Sequence, residues 1–140
     1  MLAMYNNKFK FNKNEKLCSR RIISELFESG KSFYSSPLTV LWMKSRDKIP
    51  SPAIVAISVG KKNFRKAVER NRIKRLLREA WRINKHKLYM KLEQLNVQIV
   101  IMIIYSGSKM PVYHDLEEHM ENTLNSLLLQ VNEYCSNKNV

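Results

Sequence analysis

The stretch AIVAISVGKKNFRKAVERNRIKRLLREAWRIN, residues 53–84, decides the fold. Its first seven residues, Ala53–Val59, are almost continuously apolar and β-branched at Ile54, Val55, Ile57 and Val59. That is the composition of a strand covered on both faces. Gly60-Lys61-Lys62-Asn63 breaks the run, and from Arg65 to about Asn84 the apolar residues recur at helical spacing. Turning ~100° per residue from Arg70, the side chains of Ile73, Leu76, Leu77, Ala80 and Ile83 fall in one arc between about 220° and 340°. Arg70, Lys74, Arg78, Arg82 and Arg75 fall between about 0° and 140°, Arg72 near 200°, and Trp81 near 20° at the seam. The spacing therefore predicts a helix with its greasy flank on a sheet and a basic flank in solvent. Arg70, Lys74, Arg78 and Arg82 stand four apart and predict one row with steps of about 6 Å. Successive phosphates of a nucleic-acid strand have a similar spacing.

Working outward, Val97–Ile104 reads as a further buried strand, and Leu38–Lys44 (LTVLWMK) as another. Ser45–Pro52, with Arg46-Asp47-Lys48 and two prolines, reads as a hairpin-like connection. Ser19 is a plausible N-cap for a short helix with Ile23, Leu26 and Phe27 on one side and Gly30 at the C′ position. Ser106–Pro111 is a loop. A last helix runs from about Asp115 to Tyr134, with Leu116, Met120, Leu124, Leu127, Leu128 and Val131 aligned. The order is α, two or three strands, α, β, α: an α+β sandwich with one sheet. A chain of 140 residues with 44% apolar side chains supports one domain with a real core, so residues 1–140 are read as a single domain. Residues 1–18, basic and dotted with Tyr5, Phe9 and Phe11, read as an arm that orders on contact, residues 1–10 being flexible and residues 135–140 a disordered tail.

The charge is concentrated. The whole chain carries +13, and residues 61–87 alone hold 12 basic and 2 acidic side chains, while residues 88–140 hold 3 basic and 6 acidic ones. Such a block opposes folding unless an anion relieves it, which points to nucleic acid. No apolar stretch approaches the ~20 residues of a membrane span. The basic helix also lacks the large apolar wedge of a membrane-surface helix, so no membrane partner is expected. The N-terminal residues, with no continuous apolar core, do not read as a secretory signal. Cys18 and Cys135 are too few for a disulfide framework, and a cytoplasmic protein with free thiols is expected.

No catalytic or metal site is expected in the protein itself. His114 and His119, amid Asp115, Glu117, Glu118 and Glu121, are spaced five apart and do not share a helix face. His86 reads as an RNA-facing group, Cys18 has no activating partner, and Glu79 reads as a local partner of Arg75 or Arg82. Trp42 reads as core; Trp81 is balanced between core and base stacking.

The segment Ser58-Val59-Gly60-Lys61-Lys62, seven residues, then Arg70-Asn71-Arg72-Ile73-Lys74-Arg75-Leu76-Leu77-Arg78-Glu79-Ala80 resembles the signature of the bacterial ribonuclease P protein component, S-V-S-K-K followed by R-N-R-x-K-R-x-x-R-E. Ala67-Val68 fit its spacer. Phe11-Asn12-Lys13 through Lys16-Leu17, Leu26-Phe27-Glu28-Ser29-Gly30 and Gln98-Ile99-Val100-Ile101 resemble its flanking elements. The sequence departs from the pattern at Ile23 (Phe in the family), Lys16 (Arg), Gly60 (Ser or Ala) and Gln98 (Asp), and Ile104-Tyr105 replaces a small-then-basic pair.

The resemblance implies a small two-layer α/β sandwich with one mostly antiparallel sheet, of the kind shared with a ribosomal protein domain, and a left-handed βαβ crossover through the basic helix. It implies the protein subunit of a ribonucleoprotein that removes the 5′ leader of precursor tRNA, the RNA subunit carrying out Mg²⁺-assisted hydrolysis and the protein binding no cofactor. Its partners are ribonuclease P RNA and precursor tRNA, with no stable protein partner. RNA binding would fall to Lys61, Lys62, Arg65, Lys66, Arg70, Asn71, Arg72, Lys74, Arg75, Arg78 and Arg82, and a leader cleft to Ile23, Phe27, Phe33 and Lys61. Rival readings are a structural RNA-binding protein of similar fold and a DNA-binding regulator using residues 70–85 as a recognition helix; the latter lacks a preceding support helix. On this reading Arg70→Ala and Arg72→Ala both weaken RNA binding with little effect on folding, and Leu76→Ala does the reverse.

Overall fold

The computed structural model describes residues 10–138. Residues 1–9 of the expected arm lie outside them, as do residues 139–140 of the expected tail. A short 3-10 turn at Lys13–Glu15 precedes α1 (Arg20–Ser29), β1 (Lys31–Ser35), β2 (Leu38–Lys44), β3 (Ala53–Val59), α2 (Ala67–Leu95), β4 (Ile99–Tyr105) and α3 (Tyr113–Lys138). Cys135–Lys138, expected in a tail, are the last turn of α3.

The sheet has the order β1-β2-β4-β3. β1 with β2 and β2 with β4 are antiparallel, and β3 with β4 is parallel. The sheet is thus mostly antiparallel, as expected, but Ser45–Pro52 is not a hairpin. β4 lies between β2 and β3, so the connection crosses a whole strand, about 10 Å. Gln98 clips it: its Oε1 accepts the Ile49 N–H (3.1 Å), and its Nε2 donates to the carbonyls of Ile49 (2.7 Å) and Ser51 (3.1 Å). An Asp at this position could accept but not donate. At Gly60, the other departure the structure explains, an added Cβ would meet no atom within 4 Å. Ser or Ala would fit there equally.

α1 starts as its sequence predicts, with Ser19 Oγ accepting the Ile22 N–H. Its end differs. Gly30 has φ −71°, not the left-handed conformation, and glycine is needed because a Cβ would lie 2.3 Å from the Leu26 carbonyl oxygen. The left-handed cap occurs instead at Asn96 (φ 53°), which ends α2.

One face of the sheet, with Val40, Trp42, Val55, Ile101 and Ile103, packs on Ile73, Leu77, Trp81 and Leu88 of α2 and on Leu116, Met120 and Val131 of α3. The other face, with Ile54, Val100 and Met102, packs on Leu17, Leu26 and Ile49. The expected two layers are therefore joined by a partial third, α1. It is partial because α1 is short. Ala53–Val55 of β3 are buried, whereas Ala56–Ser58 are half-buried, so the expected cover on both faces holds only over the first half of the strand.

α2 is 29 residues long, three turns beyond the sequence expectation at its C-terminal end. Its buried residues are Ile73, Leu77, Ala80, Trp81, Lys85, Leu88 and Leu92. This arc is turned about 70° toward the basic side of the predicted one. Leu76 and Ile83 are half-buried, and Trp81 is core. The physical reason is that α2 packs on the sheet and on α3 at once, and long cationic side chains at the seam bury their stems. The stability role assigned to Leu76 belongs to Leu77. Leu77→Ala is expected to cost about 2–5 kcal/mol in urea denaturation, and Leu76→Ala clearly less.

A buried ion pair, invisible to apolar periodicity, joins the N-terminal segment to α2. The Lys85 ammonium, 2% exposed, donates to the Glu15 carboxylate and to the Lys10 carbonyl. Glu15 also accepts the Asn12 N–H and the Tyr89 hydroxyl, each at 2.7 Å. Burial and then the Glu15 carboxylate push the Tyr89 phenol well above its ordinary range, opposed by the Trp81 indole N–H. This cluster pins residues 10–15 to α2. Just beyond, Lys16 bridges Val55, and the Leu17 N–H donates to the Val55 carbonyl (3.0 Å), covering the free edge of β3.

Candidate nucleic-acid interface

Lys61, Lys62, Arg65 and Lys66 are exposed in the connection between β3 and α2. Asn71, Arg72, Arg75 and Arg78 are exposed on the first turns of α2. The predicted row of Arg70, Lys74, Arg78 and Arg82 does not form as such. With the buried arc rotated, Arg70 and Lys74 fall within it, near the helix N-terminus, and are half-buried. The Arg70 guanidinium donates to the carbonyls of Phe64 and Arg65, each at 2.8 Å. It thereby closes the loop over Phe64, whose buried ring packs 5.9 Å from that of Tyr105. Arg82 forks onto Glu79 (Nη2–Oε1 2.5 Å, Nε–Oε2 3.1 Å), the local pairing expected of Glu79. The Arg82 hydrogen bond holds the Glu79 carboxyl below its ordinary range, and Glu79 raises Arg82.

The outward line is instead Arg72, Arg75 and Arg78, three apart and about 4.5 Å per step along the axis. Among the described residues, none of Lys61, Lys62, Arg65, Lys66, Arg72, Lys74, Arg75 or Arg78 forms an ion pair with a carboxylate. These cations are left for an external anion. They sit where α2 begins, so backbone N–H groups and the helix dipole add to the field.

On the α1 face, the rows of the sheet open progressively. Ile54, Val100 and Met43 form the row under α1, with Val100 fully buried. Ala56, Met102 and Leu41 come next, and Ser58, Ile104, Thr39 and Tyr34 form the last row. No member of that last row is buried, and Tyr34 is 64% exposed. Ile23 is half-buried at the edge of this cluster, while Phe27, one turn on, is 59% exposed. Lys61 is exposed just beyond β3, at the same end of the sheet as the open row. The result is a shelf between α1 and the sheet, with aromatic and aliphatic surface and a lysine at its end. Phe33 is not on it. Phe33 pairs with Val40 and packs into the α2/α3 core, and its neighbour Tyr34 takes the shelf side. KSFYS of β1 is too polar to signal a strand by itself. Without the strand's alternation the facing residue was displaced by one.

Among the described residues, no group of three His, Cys, Asp or Glu side chains is placed to hold a metal ion. His114 is exposed and His119 half-buried on α3; Cys18 is exposed and Cys135 half-buried. No helix among the described residues is long and apolar enough to cross a membrane.

Residues 11–128 match the family model described as Ribonuclease P. The chain is 35% identical over 116 residues to the ribonuclease P protein component of Porphyromonas gingivalis, covering 83% of this chain and 85% of that protein. It is 33% identical over 127 residues to that of Chlorobium phaeobacteroides, covering 84% and 87%. Its fold is similar to the ribonuclease P protein of Thermotoga maritima (TM-score 0.60, 25% identity, 79% of this chain and 94% of that one). It is also similar in fold to that of Staphylococcus aureus (TM-score 0.64, 20% identity, 82% and 96%). With the signature residues Lys61–Lys62 in the connection after β3 and Arg70–Ala80 in the first turns of α2, this chain belongs to the ribonuclease P protein component family.

Proposed function

We propose that this protein is the protein subunit of ribonuclease P, acting in the cytoplasm to promote endonucleolytic 5′ maturation of tRNA. It binds the ribonuclease P RNA through Lys61–Lys66, Arg72, Arg75 and Arg78. It holds the single-stranded 5′ leader of precursor tRNA on the shelf between α1 and the sheet, where Phe27 offers a stacking surface and Lys61 meets the phosphates. The observation that carries this reading is the set of exposed cations without carboxylate partners on one surface. The RNA subunit supplies the hydrolytic chemistry with Mg²⁺. The protein's part is differential binding: precursor with a leader is gripped better than mature tRNA. The β3-α2-β4 unit is the left-handed crossover of the family, an exception to the usual right-handed connection. Ile23 leaves the shelf without a second ring on α1, so Phe27 carries the stacking there.

The test is reconstitution. Purified protein added to a bacterial ribonuclease P RNA at low Mg²⁺ should raise cleavage of precursor tRNA, with a larger gain for substrates bearing a leader. Phe27→Ala should lose that leader-dependent part, about 1–3 kcal/mol if one base stacks. No gain in cleavage on adding the native protein would sink the proposal.

A further inference from the structure

A second cationic site lies at the other end of the sheet. Lys31↔Trp42 is the last pair between β1 and β2, while β2 continues through Met43 and Lys44 against β4 alone. Where β2 outruns β1, a cavity of about 490 Å³ opens between the end of α1 and the end of α3. Trp42, Met43 and Tyr134 supply its apolar wall and Lys31, Lys44 and Arg46 its charge; among the described residues no carboxylate lines it. The rings are fixed. Trp42 and Tyr134 meet edge to face at 5.9 Å, and the Trp42 indole N–H donates to Gln130 Oε1 at 2.9 Å.

The Lys31 ammonium sits 4.3 Å from the Tyr134 ring centre and 5.4 Å from that of Trp42. It is held by aromatic faces rather than by an anion. Lys31, Lys44 and Arg46 are exposed and, among the described residues, form no ion pair. Asp47, next to Arg46, is engaged by Arg21 instead. Cations gathered beside helix C-termini could serve the helix dipoles alone, but that role needs no cavity and no aromatic wall.

We infer that this cavity binds one nucleotide of a single-stranded RNA segment, phosphate on Lys31, Lys44 and Arg46, ribose and base against the Tyr134 side. A mixed wall of this kind suits a group that is both anionic and flat. The site is separate from the interface on α2. Lys44 pairs with Ile99 at one end of β4, whereas Val59, next to the Gly60–Lys66 connection, pairs with Tyr105 at the other. Six residues of strand, at ~3.3 Å each, put about 20 Å between them. The protein would then hold RNA at both ends of its sheet.

The test uses hexauridylate and the full-length protein. In the Arg72→Ala/Arg75→Ala/Arg78→Ala background, residual binding should shift the backbone amides of Lys31, Lys44, Arg46 and Tyr134 in NMR spectra. Adding Lys44→Ala/Arg46→Ala should weaken it about tenfold near physiological salt and flatten the plot of log affinity against log salt by about 1.4. Unchanged affinity in that variant would overturn the inference. So would equal shifts of the same amides by inorganic phosphate, which would make it a plain anion site. A lowered melting temperature with RNA affinity intact would assign the cations to the fold instead. Because the probe is neither precursor tRNA nor a ribozyme substrate, the result stands apart from the reconstitution assay. If that assay fails, this one can still succeed, and the reverse.

Discussion

Lys85→Ala is expected to destabilise the protein by about 3–5 kcal/mol, the largest effect of any single charged residue in the chain. The physical cause is not the loss of an attraction but what remains. Glu15 is buried with Lys85, and its carboxyl would be left with only the Asn12 N–H and the Tyr89 hydroxyl as partners. A buried carboxylate deprived of its cation is far more costly than a surface ion pair, whose typical worth is ~0–1 kcal/mol. The comparison that isolates this is a double substitution. Lys85→Met with Glu15→Leu removes both charges and should recover much of the loss, since apolar replacements of a buried pair are often close to neutral. Urea denaturation at neutral pH reads both variants. A loss below ~1 kcal/mol in Lys85→Ala would show that water reaches Glu15 and that the pair does not anchor residues 10–15.

Replacing Arg72, Arg75 and Arg78 together by alanine should weaken RNA binding roughly 50-fold near physiological salt. The log–log salt slope should become shallower by about 2, the share of three phosphate contacts on a single strand. Folding stability should stay within about 0.5 kcal/mol of native, because all three side chains are exposed and unpaired. Arg70→Ala provides the contrast. Its guanidinium holds the Phe64 and Arg65 carbonyls, so its removal should cost about 1–3 kcal/mol of stability. Salt-dependent binding titrations beside thermal melts separate the two behaviours. A triple variant that binds RNA as the native protein does would remove α2 from the interface.

Much of this was legible in the residues. The strand–basic helix–strand unit, the Ser19 cap and the last helix follow from apolar periodicity, which depends on local geometry alone. What was not legible depends on partners distant in the chain. The predicted wheel of α2 is off by most of a quadrant because counting aliphatic residues leaves Trp81 at the seam and Lys85 beyond the helix end. Only the N-terminal segment, 70 residues away at Glu15, makes Lys85 an interior residue. Arg70 looked like its neighbours in the row until the carbonyls of the preceding loop were in place. Phe33 and Tyr34 are both aromatic, and only the register of β1 on β2 tells which one faces α1.

The courses of the two long helices carry a consequence. β3 and β4 end side by side, and α2 and α3 each begin beyond that end and run back the same way: α3 passes Ser35 at Thr123 and reaches Trp42 at Gln130. Their peptide dipoles point together instead of cancelling, about half a unit of positive charge from each at the common starting end. In solution the protein therefore behaves as a compass needle in the field of a polyanion, turning its Lys61–Lys66 pole forward before any side chain makes contact.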